Sequence, residues 1–227
     1  FDKAIDIFGA DHHGYIPRMK AALTALGVDP DRLDIVIMQM VNLVKDGEKY
    51  KLSKRSGKAI TLSTLLDEIP IDAARFFFNL REPNSHFDFD LDLAVEKSSQ
   101  NPVYYVQYAH ARICSLLTNL KNEGFEAASY DKKELDILDK PQETELIRHL
   151  ASLPGEIDNA AKTYDPSRIT KYSVGLATLF HKSYDACSVK NAETEQLKKA
   201  RLILCRAVLQ TLRNSLAILK IDRPEKM

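Results

Sequence analysis

The sequence predicts a mainly α-helical chain, a helical bundle preceded by a short, truncated α/β segment. Three observations carry that expectation. The first forty residues read strand, helix, strand. From about Glu96 onward apolar residues recur at spacings of three and four. Five of the eight glycines and three of the four methionines lie in the first quarter. Composition supports a folded chain: 44% of its 227 residues are hydrophobic and 28% charged, unlike a disordered or collagen-like polymer. Lys and Arg total 32, matching Asp and Glu at 32, so the overall charge points to no polyanionic partner. No apolar run approaches the roughly 20 residues that cross a bilayer, so no membrane association is expected. Cys114, Cys187 and Cys205 make neither a disulfide framework nor a Cys-x-x-Cys zinc pair, which fits a reducing, cytoplasmic setting. No signal peptide leads the chain, and Phe1 opens directly into an apolar segment, as expected of a piece of a longer protein.

Ala4 to Phe8, closed by Gly9, reads as a short buried strand. Tyr15 to Leu26 has helical spacing, with Ile16, Met19, Leu23 and Leu26 on one face. Gly27 is a helix stop, reinforced by Pro30. Asp34 to Val41 reads as a second strand, completing a strand–helix–strand unit too small to fold well alone. Lys45 to Lys58 is polar and carries two glycines, which predicts a mobile surface loop. Helical patterns resume near Leu65 and over Ala73 to Leu80. Phe87 to Leu93 alternates strictly, placing Asp88, Asp90 and Asp92 on one side of an extended segment.

Beyond Glu96, three apolar stripes predict a bundle of about four to six helices. They are Val103, Val106, His110, Ile113, Leu117 and Leu120; then Ile169, Tyr172, Leu176, Leu179, Ser183 and Cys187; and last Leu202, Cys205, Leu209, Leu212, Leu216 and Leu219. Pro141, Pro154 and Pro166 stand where first helical turns are expected. His110 lies on an apolar stripe, so a hydrogen-bonded core histidine is expected there, and the cysteines are expected to be inert core residues.

Charge is balanced only in the sum. Residues 121–165 carry a net of −5 and residues 166–220 a net of +7. Lys199, Arg206, Arg213 and Lys220 recur every seven residues, placing four cations on one helical stripe. Such a stripe is either an ordinary solvated face or a patch for a phosphate backbone. Tyr172 and Tyr184, in the same stretch, are candidates to stack on unpaired bases.

Two local patterns carry chemistry. Gly9-Ala10-Asp11-His12-His13-Gly14 ends a strand and leads into a helix, where open α/β sheets bind ligands. Its alternative is a plain turn with a capping Asp; adjacent histidines diverge, and no metal site is expected. Lys51-Leu52-Ser53-Lys54-Arg55-Ser56-Gly57-Lys58 is not a Walker A loop, because Leu52 stands in place of the first glycine and Ala59 in place of the terminal Ser/Thr. Its basic groups could instead close over a triphosphate and stabilise departing pyrophosphate.

Gly9 to Arg18, followed about forty residues later by Lys51 to Gly57, resembles arginyl-tRNA synthetase in its bacterial form. Asp88 to Ala94, Asn101 to Arg112 and the ending Arg223-Pro224-Glu225-Lys226-Met227 resemble the same family. The resemblance implies a Rossmann-like, class I catalytic-domain remnant over residues 1–95 and a helical anticodon-binding domain of DALR type over 96–227. It also implies that the Lys-Leu-Ser-Lys-Arg run is the KMSKS loop, with Lys51 and Lys54 holding ATP phosphates in catalysis and Ser53 beside them. Gly9, Asp11, His12 and Gly14 would face the nucleoside, with Met40 and Val41 against adenine. Tyr108, Tyr184 and Met227 would contact anticodon-loop bases, and Arg112 and Arg168 phosphates, joined by Lys199, Arg206 and Arg213 of the basic stripe. ATP with Mg²⁺, L-arginine and tRNA(Arg) are the implied substrates, and a monomer is expected. The His-x-Gly-His motif of the class is absent from this sequence, so the chain alone is expected not to form arginyl-adenylate. The rival expectation is a non-catalytic helical RNA-binding module with a vestigial nucleotide loop; a protein-interaction bundle is disfavoured by the +7 segment.

Overall fold

The computed structural model describes residues 1–50, 61–127 and 131–227. In chain order the elements are β1 (Ala4–Gly9), α1 (Ile16–Ala25), β2 (Leu33–Met38), β3 (Val41–Lys45), β4 (Glu48–Lys49), α2 (Leu62–Glu68), α3 (Ile71–Phe78), β5 (Phe87–Asp90), α4 (Leu91–Val95), α5 (Pro102–Asn122), α6 (Pro141–Thr163), α7 (Ser167–Ala186) and α8 (Glu195–Ile218). The chain is mainly helical. It divides into one unit of Phe1–Glu68 with Arg81–Asp92 and another of Ile69–Leu80 with Leu93–Met227.

In the first unit β1 and β2 are parallel, with Gly9 opposite Met38, and α1 connects them. The expected βαβ unit is therefore present. Gly27, at φ +73°, ends α1 with paired bonds from its own N–H to Thr24 O and from Val28 N–H to Leu23 O. Burial departs from expectation. Ile5 and Ile7 are 52% and 63% exposed, and Leu26 is 77% exposed. A two-stranded parallel sheet with one helix has too few layers to cover both faces of its strands.

Three further elements differ from the sequence reading. Asp34 to Val41 is not one strand: β2 stops at Met38, and Val41 starts β3, in a second sheet of order β4-β3-β5. Lys45 to Tyr50 is the turn and return strand of a hairpin. Asp46 and Gly47, both at positive φ, form the tight connection that matches strand twist. The alternation after Phe87 ends at Asp90. Asp92 instead sits in the first turn of α4, where its N–H donates to Asp90 Oδ1 at 3.0 Å and its carboxylate accepts from Asp46 N–H at 2.6 Å. Glu68 ties α2 to the hairpin, accepting from Lys45 Nζ and Tyr50 Oη, each at 2.7 Å.

The second unit is a bundle of α5, α6, α7 and α8, with α3 packed on α5. Thus Ile69–Leu80, on the N-terminal side of the 95/96 boundary read from sequence, packs with the helices that follow that boundary. The α8 stripe is buried throughout, from Leu202 and Cys205 to Leu216 and Leu219. Pro102 and Pro141 occupy first turns and Pro166 is the N-cap of α7, whereas Pro154 lies inside the 23-residue α6. Cys187 and Cys205 are buried, and burial pushes the Cys205 thiol up to about 12. They are inert packing groups. The bundle also encloses an ion pair: Arg201 Nε donates to Glu143 Oε1 at 2.6 Å, with the two side chains 10% and 1% exposed. Lys140 N–H bonds the other Glu143 oxygen at 3.2 Å, and Arg201 Nη1 donates to Ser188 O at 2.9 Å.

Candidate nucleic-acid interface

Tyr104, Tyr108 and Arg112 recur every four residues, so they form one row along α5. Phe180, His181, Tyr184 and Asp185 form the facing row of α7. The Tyr104 and Tyr108 rings lie 6.3 Å apart and nearly parallel at 6°. Tyr108 stacks on His181 at 5.8 Å and 26°, and Tyr105 meets the same imidazole at 5.0 Å. The Arg112 guanidinium sits 4.1 Å from the centre of the Tyr184 ring, a cation–π contact, and donates to His181 Nδ1 at 3.2 Å and Asp185 Oδ1 at 3.4 Å. Tyr108 is 41% exposed, more than the other rings of the cluster.

His181 is the residue that sequence reading missed. A lone histidine in a helix carries no motif; its only signal was its place one turn before Tyr184. Burial, aided by the Arg112 charge, pushes its pKa down to about 4. The ring is neutral near pH 7, and because arginine only donates, Nδ1 must be the acceptor.

A second histidine fixes the C-terminal tail. His110 is fully buried, as expected. Its Nδ1 donates to Pro224 O at 2.9 Å, and its Nε2 accepts from Arg213 Nε at 3.2 Å. Gln107 Nε2 donates to Asp222 O at 3.0 Å, and Asp222 N–H donates to Asp72 Oδ2 at 3.1 Å. Met227 follows Pro224 by three residues and is 51% exposed, so it lies within about 10 Å of this anchor.

Burial also lowers the His110 pKa. Both histidines therefore bind protons more readily unfolded than folded. Stability is complete above the unfolded value of 6.5 and is lost as pH falls from there toward about 4 for His181. The melting temperature is expected to drop between pH 7 and 5, before carboxylates titrate, and His181→Phe should flatten that drop. Parallel pH–melting curves for both proteins check this.

The basic stripe departs from a free, solvated face at three of its four positions, Lys199, Arg206 and Arg213, whose cations have partners within the chain. Lys199 Nζ bonds both Glu134 oxygens at 2.9 Å and holds that carboxyl below its ordinary range. Arg206 donates to Ala127 O. Arg213 pairs with Glu225 at 3.4 Å besides holding His110. Tyr172 is corrected as well: it is 4% exposed, stacks on His149 at 4.4 Å and donates to His149 O at 3.0 Å, leaving no face for a base. Arg168 pairs with Glu156 at 3.4 Å in the first turn of α7. It stands sixteen residues from Tyr184, about 24 Å along the helix, so it does not join the aromatic cluster.

In the first unit the ends of β1 and β2 bring Gly9 and Met38 side by side, with Met40 just beyond and 77% exposed. Val41 is half-buried in the other sheet. A short 3-10 helix, Ala10–Tyr15, separates the strand end from α1, so Asp11, His12 and Gly14 lie on that turn and not at the N-terminus of α1. A Cβ on Gly9 would stand 2.7 Å from Asp11 Oδ1, and the Asp11 carboxylate lies 3.6 Å from His12 Nε2. Lys51, Ser53 and Lys54 lie outside the described residues. Among the described residues no three His, Cys, Asp or Glu side chains group as a metal site, and no helix is long and apolar enough to cross a membrane.

Comparison with known proteins places this geometry in context. Residues 106–227 match the DALR anticodon binding domain. The arginine–tRNA ligase of Acetivibrio thermocellus is 52% identical over the whole chain, which spans 40% of that relative. The arginine–tRNA ligase of Caldanaerobacter subterraneus is 50% identical, again with 40% of its length covered. The solved Thermus thermophilus arginyl-tRNA synthetase shares the fold, with a TM-score of 0.80 at 23% identity over 100% of this chain and 41% of that one. The chain thus spans about two fifths of the length of the curated relatives it matches.

Proposed function

Because this chain belongs to the DALR anticodon-binding domain family, we propose that its helical unit reads the anticodon loop of tRNA(Arg) as part of an arginine–tRNA ligase. The observation that carries the reading is the α5/α7 face, where exposed Tyr108 and the Arg112–Tyr184 pair offer stacking surfaces beside a fixed cation. Unpaired RNA bases bind by stacking on aromatic and guanidinium planes, and specificity comes from their edges. In this reading Tyr108, Tyr184 and Met227 contact bases and Arg112 a phosphate. Arg168 meets the backbone at a separate place. Lys199, Arg206 and Arg213 act mainly by holding the bundle and tail together.

The parent enzyme joins ATP and L-arginine into an adenylate and passes arginine to tRNA. Residues 1–95 would supply the nucleotide side: Gly9, Asp11, His12, Gly14, Met40 and Val41 around the nucleoside, and Lys51, Ser53 and Lys54 on the phosphates, with Mg²⁺ arriving on ATP. Residues 96–227, together with the helix α3, would supply the anticodon reader. The enzyme would work in the cytoplasm as a monomer, and the three free thiols suit that compartment. Photo-crosslinking an arginine anticodon stem–loop, with a thiolated base in the loop, tests the assignment. Crosslinks at Tyr108 and Tyr184 are expected, whereas crosslinks confined to Lys199 and Arg206 would restore the basic stripe as the docking face.

A further inference from the structure

The imidazole of His181 has one nitrogen whose role the packing leaves open. Nδ1 accepts from Arg112 at 3.2 Å, so the neutral ring carries its proton on Nε2. That Nε2–H is buried and has no hydrogen-bond partner among the described residues. A buried donor without an acceptor is costly, and such groups are rare in folded proteins unless a ligand or water completes them. Three rings lie against the imidazole: Tyr105, Phe180 and Tyr108. Of these only Tyr108 is exposed, at 41%, whereas Phe180 is 1% exposed. A ligand approaching from the Tyr108 side would reach Nε2 only by displacing part of that exposed ring, because the nitrogen itself is closed to solvent. Arg112 cannot satisfy the free nitrogen, because it is a donor itself and already occupies the opposite side of the ring.

We propose that His181 is a specificity-determining residue of this face: its Nε2–H donates to an acceptor on the edge of an unpaired RNA base that stacks at Tyr108, a carbonyl oxygen or an unprotonated ring nitrogen. This rests on the reading of the α5/α7 face as an RNA-loop site. Stacking on Tyr108 tolerates any base, since every base has a π face. A donor held at fixed orientation rejects a base that presents its own N–H at the same point. Arg112 sets the tautomer and so acts as a positioning residue for His181, in addition to its contact with Tyr184. The depressed pKa of the imidazole keeps it neutral, and therefore in this tautomer, throughout the neutral range.

The test measures binding of the 227-residue chain to a stem–loop RNA bearing an arginine anticodon, and to versions with each loop base changed singly. His181→Phe keeps a ring against Tyr108 and removes the donor. It is expected to keep most of the affinity and to lose about tenfold in discrimination at one loop position. His181→Gln, whose side-chain amide places an N–H near the same point, is expected to regain part of that preference. An RNA-side experiment leaves the protein unaltered: a base analogue lacking the acceptor at that position, a deaza base for a ring nitrogen or a deoxo base for a carbonyl oxygen, should weaken wild-type binding by a similar factor and leave His181→Phe unaffected. Discrimination by His181→Phe equal to wild type, or uniform weakening toward every RNA, would overturn the proposal while leaving the RNA-binding reading intact if Tyr108→Ala still loses affinity. Absence of binding by the wild-type chain would overturn the underlying reading, and the proposal with it.

Discussion

Glu143→Ala is expected to destabilise the helical unit by about 3–5 kcal/mol, because it leaves the Arg201 guanidinium buried without its counter-charge. Arg201 is 8% exposed and lies in the leucine-rich heart of α8. Among the described residues its remaining acceptor is Ser188 O, which answers one N–H of five. The same substitution removes the carboxylate that accepts from Lys140 N–H at the start of α6. Replacing both members, Glu143→Met with Arg201→Met, is expected to recover most of the loss, since desolvation of two ions is then avoided. Urea titration of the single and double variants reads both values. A single variant within 1 kcal/mol of wild type, on the order of an exposed pair, would show that the pair contributes no more than one at the surface.

Tyr108→Ala carries the largest expected effect on binding. Base–aromatic stacking contributes roughly 1–3 kcal/mol per base, so affinity for an anticodon stem–loop should fall about tenfold or more. Stability should change little, because Tyr108 is 41% exposed and, among the described residues, its ring stacks on Tyr104 and His181 without a side-chain hydrogen bond. Lys199→Ala is the informative contrast. Its ammonium is spent on Glu134, so RNA affinity should be nearly unchanged despite the loss of a positive charge. Fluorescence anisotropy with one labelled RNA compares the two variants directly.

The parts of this molecule that repeat at short range were legible in its sequence. The α8 leucines fall every three or four residues, and burial of that stripe follows from helical geometry alone. The β1–α1–β2 unit followed from an apolar run, an amphipathic stretch and Gly27. The hairpin was legible in principle, because Asp46-Gly47 is the pair that a tight turn requires, but the surrounding charges made the stretch look like open loop. Pro154 was misplaced because an interior proline is unusual in a helix.

Charge was harder to read than periodicity. Lys199, Arg206 and Arg213 do share a stripe, but their partners stand far away in sequence. Glu134 is 65 residues from Lys199, and Ala127 is 79 from Arg206. Periodicity places a cation on a face without showing whether that face meets water or another segment. The buried pair was hidden for the same reason: Glu143 looks like a first-turn acid of α6, and its partner is 58 residues on. Tyr108 was singled out by family resemblance and Tyr184 by its place in the positively charged stretch as well, whereas His181 emerged only when α5 and α7 were seen packed together.

The most direct measurement is binding of this chain to stem–loops carrying an arginine anticodon and a non-arginine anticodon, over a series of salt concentrations. Both affinities should fall with salt, as phosphate contacts require, while the arginine loop stays preferred at every concentration because base contacts are not screened. Equal affinities throughout the series would contradict the account and reduce the α5/α7 face to a surface that docks RNA without reading it.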